Sequence, residues 1–397
     1  MYSKAFIPYG GYYSSPFVRW QGSIQNENSI ELGAATAKRW LATKNMIPTM
    51  FDYLFVGKSV GQLHSFYTAP WAAALLGAEG TTGLHIPQAC STSTTCVGMA
   101  AAGLEVGNFN NAFCLMTDRM SNGPHTIWPN PNGPGGEVLS ENWVMDSFGR
   151  DPHGKVAMIQ TAENVVKKAG NITKEECDAV TFRRYEQYLD ALANDREFQK
   201  RYMFAIEYKK SKKEVGLVEA DEGVMPTTKE ALAKLKPVIE GGVLSFGSQT
   251  HPADGNCGII VTTEDKAKEL SSDKNIQIQV LSYGFARTEK AHMAMAVVPS
   301  ALMALEKAGL EVKDVKVIKT HNPFAANDVY MAKVMGIDVM RFNNYGCSLI
   351  YGHPQGPTGG RGIIELIEEL VLLGGGYGLF TGCAAGDTGA ALVIKVS

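Results

Sequence analysis

No stretch of this sequence is long and apolar enough to span a bilayer. Its first residues, Met1-Tyr2-Ser3-Lys4-Ala5-Phe6-Ile7, lack the apolar core of a secretion signal. Charge of one sign is also scarce. Lys and Arg number 37 against 40 Asp and Glu, a net of −3, so no strong field favours nucleic acid or an anionic membrane surface. The one dense basic run, Lys209, Lys210, Lys212 and Lys213, reads first as a solvated turn or helix end. The seven cysteines, at 90, 96, 114, 177, 257, 347 and 383, are odd in number and show neither zinc-site spacing nor a disulfide framework. These absences leave the expectation of a soluble, cytoplasmic chain with reduced thiols, no metal site, and no nucleic-acid or membrane partner.

What is present describes a packed α/β protein. Hydrophobic residues make up 45% and charged residues 19% of 397, enough for two or three domain-sized units. Short β-branched or apolar runs alternate with helical periodicities. Leu84 to Pro87 and Ala112 to Met116 read as buried strands, with a small-residue helix over Thr92 to Val106 between them. Residues 122–152, dense in Asn, Pro and Gly, read as a long irregular loop. Thr173 with Glu176 three residues on makes a capping box and predicts a helix over 174–194. Strand-like runs return at Gly258 to Thr262 and Ile276 to Tyr283. The last third repeats the pattern of the first: a strand at Val315 to Thr320, a helix at Gly359 to Leu373, and paired runs at Tyr377 to Gly382 and Ala390 to Val396.

Four segments carry groups suited to covalent chemistry. Cys90, in Gln88-Ala89-Cys90-Ser91-Thr92-Ser93, sits between a strand and a helix, where the positive end of the helix dipole would favour thiolate. A buried inert thiol is the competing reading. His353, in Gly352-His353-Pro354-Gln355-Gly356-Pro357-Thr358-Gly359, has glycines that let the backbone approach a partner closely. It could accept a thiol proton, or simply bond to a turn. His321 follows a strand in Thr320-His321-Asn322-Pro323-Phe324-Ala325, and Cys383 sits in Gly382-Cys383-Ala384-Ala385-Gly386.

Taken in order, these four blocks resemble the signature segments of the thiolase family: a cysteine followed by small residues, an Asn-Glu-Ala-Phe or His-containing block, Gly-His-Pro-x-Gly-x-(Ser/Thr)-Gly, and a final Cys-x-(Gly/Ala)-Gly. Thr161-Ala162-Glu163-Asn164-Val165 and Ala253-Asp254-Gly255 are similar to further thiolase segments. The resemblance runs through nearly the whole chain. It implies an α/β thiolase fold, with two similar βαβαβ halves forming a five-layered αβαβα core and an inserted loop domain. The boundaries are then 1–118 and 244–272 for the N-terminal half, 119–243 for the insert, and 273–397 for the C-terminal half.

The resemblance also implies an acyltransferase. Cys90 would hold the acyl group of a 3-oxoacyl-CoA, His353 would activate it, and Cys383 would serve as the second acid and base. His321 would help His353 bind the enolate oxygen, and the N–H groups of Cys90 and Ala385 would bind the tetrahedral oxyanion. Thr250, Met293 and Phe324 match positions near the pantetheine and acyl pocket, though the last two could equally serve core packing. His321 in place of the usual Asn points to the branch with His in the second block.

Aromatics at Phe66, Tyr67, Trp128 and Trp143, beside His64, fall in segments that border the acyl pocket in relatives. They serve either packing or a substrate other than a plain short chain, which the resemblance implies would be aromatic or branched, such as benzoylsuccinyl-CoA. Arg119 is either a carboxylate contact or a structural group. Acetoacetyl-CoA thiolysis (acetyl-CoA C-acetyltransferase) and a catalytically silent acyl-CoA binder are the alternatives. Coenzyme A would be a co-substrate, with no permanently bound cofactor. The expected assembly is a homodimer or larger, and relatives in this branch often work with a small zinc-ribbon/OB-fold subunit, which here would be a separate chain.

Overall fold

The computed structural model describes residues 1–321 and 323–397. Its architecture follows from strands that are apolar on both faces. In the strand Asn111–Arg119, Phe113 and Leu115 pack into one cluster while Ala112, Cys114 and Met116 pack into another. In Thr388–Val396, Ala390, Leu392 and Ile394 face the shared central core, and Ala391 and Val393 face the opposite way. Successive side chains of a strand point to opposite faces, so such runs can be stable only with helices on both sides.

The layers satisfy that demand. Helices Ser29–Thr43 and Thr68–Leu76 cover the outer face of the N-terminal strands, and Val297–Ala308 covers that of the C-terminal strands. Between the sheets lie Thr92–Glu105 and Thr358–Leu372, packed on each other and on strands of both halves. Glycines let the second helix settle closely. A Cβ at Gly360 would lie 2.3 Å from Cys257 Sγ.

The two halves repeat one order. In the first, Tyr53–Gly57 runs parallel to Asn111–Arg119, which pairs antiparallel with Ala253–Thr262. In the second, Val315–His321 runs parallel to Gly376–Ala384, which pairs antiparallel with Thr388–Val396. The short strand Phe6–Ile7 bonds to both Ala253–Thr262 and Ile278–Arg287, joining the halves into one hydrogen-bonded surface. This is the expected five-layered fold.

Two local expectations change. Residues 122–152 are not irregular throughout: His125–Pro129 and Val138–Asn142 form a hairpin, followed by a short helix at Trp143–Gly149. The Asn-Pro-Gly run supplies the hairpin's end. The capped helix extends over Lys174–Lys200, with Ala193 to Arg196 leaving helical geometry near its predicted end at 194. No described helix is long and apolar enough to cross a membrane.

Candidate active site

Cys90 lies in the single tight turn Ala89–Ser91 between the strand Thr82–Ile86 and the central helix Thr92–Glu105. Ala89 takes a φ of +44°, a strained value for a residue with a Cβ. Opposite stands His353, reached through Gly352 at φ +93°. The two come together because residues 248–253 lace both histidine loops in place. Thr250 N–H donates to Pro323 O at 2.7 Å, and Ala325 N–H donates to Ser248 O at 2.9 Å. His353 N–H donates to His251 O at 2.9 Å.

The contacts are direct. His353 Nε2 is 3.0 Å from Cys90 Sγ, and its Nδ1 is 2.7 Å from Thr358 Oγ1. With Nδ1–H donating to Thr358, Nε2 is left as a base facing the thiol. The His321 ring stacks on that of His353 with centroids 4.0 Å apart, and its Nδ1 meets Ser348 Oγ at 2.9 Å. His321 Nε2 is buried with no hydrogen-bond partner among the described residues. Cys383 Sγ accepts from Asn327 Nδ2 at 3.1 Å. Thr358, Ser348 and Asn327 were not singled out by sequence reasoning. Thr358 lies inside a recognised block, but the other two are brought to the site by folding alone. Asn322, part of the His321 block, lies outside the described residues.

Burial dominates the electrostatics. It pushes the Cys90 thiol up to about 12, outweighing the N–H groups of Ala385 and Cys90 that bond to the sulfur and pull the other way. Burial thus works against the thiolate that the helix dipole favours. Burial holds His353 well below the usual imidazole range, with His321 and His251 adding in the same direction, and lowers His321 to about 3. Cys383 is raised by burial and then by the nearby Cys90, against the opposing Asn327 bond. All four shifts run toward the neutral form, thiol for the cysteines and imidazole for the histidines.

Cys90, His321 and His353 bring one donor atom each within 4.8 Å of one another, a spacing that could suggest a metal. The ring geometry argues otherwise. Planes only 26° apart in a stacked pair with centroids 4.0 Å apart confine the lone pairs to separate, nearly parallel planes, whereas a metal needs in-plane approach to both rings.

A cavity of about 330 Å³ opens onto the pair. Its wall includes Cys90, His353 and Ala385, together with Thr250, Met293 and Phe324, as well as Met145, Phe148, Met158 and Gln249. The expected aromatics are elsewhere. Phe66 is 98% and Trp128 50% exposed, and Trp143 donates to Ser59 O at 3.3 Å. Among the described residues, Phe148 and Phe324 are the phenyl rings in the cavity wall. Arg119 donates to the carbonyls of Gln25 and Asn122, away from the cavity. The lysine run sits at a hairpin turn where Lys210 pairs with Glu214.

Residues 11–265 match the family described as "Thiolase, N-terminal domain" and residues 274–396 the one described as "Thiolase, C-terminal domain". The chain belongs to the thiolase family. It is 27% identical over 387 residues to the human mitochondrial 3-ketoacyl-CoA thiolase, covering 96% of each chain. Among solved structures it is similar to the CoA complex of the human mitochondrial 3-ketoacyl-CoA thiolase, with a TM-score of 0.89 and 26% identity, covering 99% of this chain and 98% of that one. It is also similar to the Bacillus anthracis acetyl-CoA acetyltransferase, with a TM-score of 0.90 and 25% identity, covering 100% of this chain and 99% of that one. This thiolase is an acyltransferase, and its family membership supports CoA-dependent cleavage or formation of the bond between the 2- and 3-carbons of a 3-oxoacyl-CoA.

Proposed function

We propose that this thiolase works through a Cys90 acyl-enzyme on 3-oxoacyl-CoAs with an apolar acyl group larger than acetyl, aryl or branched groups included. The observation that carries the reading is the 3.0 Å contact between Cys90 Sγ and His353 Nε2 at the end of an apolar cavity. His353 takes the thiol proton as sulfur attacks the 3-oxo carbon. Proton transfer coupled to attack suits a thiol near 12 facing a neutral imidazole. The tetrahedral oxyanion forms beside Sγ, where the N–H groups of Cys90 and Ala385 already point. The carbon–carbon bond then breaks, leaving the electron pair on the thioester enolate. Its oxygen faces His353 and the unpartnered His321 Nε2. Cys383 protonates the enolate carbon and later takes the proton of incoming CoA, whose thiolate displaces the acyl group from Cys90.

The substrate reading rests on the wall of the cavity. Met145, Phe148, Met158, Ile159, Met293 and Phe324 are large and apolar, and about 330 Å³ exceeds the needs of an acetyl group. Among the described residues no lysine or arginine lines it. A benzoyl group suits it, and the carboxylate of a benzoylsuccinyl-CoA would lie toward the solvent side. A second cavity, with Met225, Leu235 and Phe246 in its wall, shares Gln249 with the first. It offers the pantetheine arm a route along residues 119–243, which we read as the inserted CoA-covering domain.

Seven unpaired, buried cysteines fit a reducing, cytoplasmic setting. Thr82–Ile86 ends the sheet with Leu84 48% exposed, which favours a homodimer or larger assembly. A separate zinc-ribbon/OB-fold subunit belongs to the same proposal, and co-purification at unit stoichiometry tests it.

The deciding experiment incubates the chain with 3-oxoacyl-CoAs from acetoacetyl-CoA to aryl-substituted members and records intact mass. An acyl adduct is expected on Cys90, absent in Cys90→Ala, with bulky acyl groups preferred. In Cys383→Ala, adduct should form without turnover. Turnover by Cys90→Ala would overturn the mechanism, and a strict preference for acetoacetyl-CoA would overturn the substrate reading.

A further inference from the structure

We infer that Asp118 is a positioning residue that sets the distance between the nucleophile turn and the histidine loop. The inference rests on reading Cys90 and His353 as nucleophile and base. Asp118 stands near the end of the strand Asn111–Arg119 and is only 1% exposed. Its carboxylate accepts from three backbone N–H groups on two different loops. Oδ1 takes Val60 N–H at 2.8 Å and Ser59 N–H at 3.0 Å, while Oδ2 takes Ser59 N–H at 2.9 Å and Gly356 N–H at 2.9 Å.

Each loop leads to one half of the catalytic pair. Gly356 lies three residues after His353 in the same turn. Ser59 donates its hydroxyl to Ala89 O at 3.3 Å and meets Thr92 Oγ1 at 3.3 Å, so it grips the turn on both sides of Cys90. The chain of bonds therefore runs from the Cys90 turn through Ser59 and Asp118 to Gly356. A second tie runs directly between the same parts, from Ser93 Oγ to Gly356 O. There is no slack at the joint: a Cβ at Gly356 would lie 2.7 Å from Asp118 Oδ2.

A carboxylate can hold both loops because both its oxygens accept. An asparagine cannot, since its NH₂ would face an N–H donor on one side. Burial raises Asp118 to about 7, with the three N–H groups and Lys58 acting in the opposite direction. Its charge therefore depends on those bonds being kept. A misplacement of about 1 Å between reacting groups can cost about 100-fold in rate, which sets the scale expected here.

The test compares wild type, Asp118→Asn and Asp118→Glu. Two readouts are taken: the rate of Cys90 alkylation by iodoacetamide, which needs no acyl-CoA, and steady-state thiolysis. For Asp118→Asn, alkylation and kcat are expected to fall at least tenfold while KM for CoA stays within twofold. Asp118→Glu, which keeps both acceptors, is expected to recover part of the loss. Unchanged alkylation and kcat in Asp118→Asn would overturn the inference, as would parallel losses in KM and kcat with no recovery by Glu. If Asp118→Asn does not fold, Ser59→Ala takes its place. There, slower alkylation at an unchanged melting temperature supports the inference and an unchanged rate overturns it. Because alkylation is read without substrate, failure of the thiolase mechanism itself would show separately, as absent acyl adduct on a normally reactive Cys90.

Discussion

At the scale of the residue, the site depends on groups kept neutral by burial. His321 is the clearest case. Burial lowers it from an ordinary 6.5 to about 3, so the unfolded chain binds more protons than the folded one in that interval. Its contribution to stability is present above 6.5 and is lost as pH falls toward 3. His321→Asn should therefore unfold less steeply with acid than wild type, measured as urea midpoints between pH 7 and 4, and identical slopes would contradict this. Cys90, His353 and Cys383 were legible as candidates because their neighbours form recognisable blocks. Their protonation states were not. A dipole argument from the sequence favours thiolate at Cys90, but it carries no information about desolvation, which here is the larger effect.

At the scale of the element, local chemistry set boundaries well where caps are strong. Thr173 N–H donates to Glu176 Oε2 at 2.9 Å, and Glu176 N–H donates to Thr173 Oγ1 at 3.2 Å, so the helix begins where the capping box places it. Thr173→Ala should cost about 1 kcal/mol, seen as a lowered urea midpoint with activity retained, and an unshifted midpoint would argue that the box is idle. The hairpin at His125–Pro129 and Val138–Asn142 was missed because its strands are mostly exposed and carry no alternating apolar pattern. The exposed Trp128 and Trp143 misled in a related way. Sequence position placed them near the substrate, but Trp128 lies exposed on the hairpin and Trp143, at the start of the next helix, bonds Ser59 O.

At the scale of the whole molecule, the region 119–243 is tied to the core by buried charge. Arg361, on the central helix that starts at Thr358, makes a bidentate pair with Asp221 at 2.7 and 2.9 Å and bonds Glu365 at 3.0 Å. Asp221 also accepts from Phe17 N–H at 2.8 Å and Tyr188 Oη at 3.0 Å. Removing one partner of such a pair strands the other charge. Asp221→Ala should therefore cost about 3–5 kcal/mol, read as a fall in melting temperature with faster proteolysis within residues 119–243. A loss below about 1 kcal/mol would show that Arg361 finds a replacement.

The sequence by itself determined the fold class, several of the strands and helices in each half, and the candidate reacting groups. Those features are written in local periodicity, caps and short blocks. Tertiary structure alone decided which residues hold the reacting groups in place. Ser348, Asn327 and Asp118 meet partners 27 to 238 residues away in the chain, and nothing in their own neighbourhoods announces a partner. Tertiary structure also decided the size and polarity of the cavity, because a wall assembled from residues between 90 and 385 has no local signature. The same holds for the neutral state of the catalytic pair, since burial is a property of everything packed around a group and not of the residues beside it in sequence.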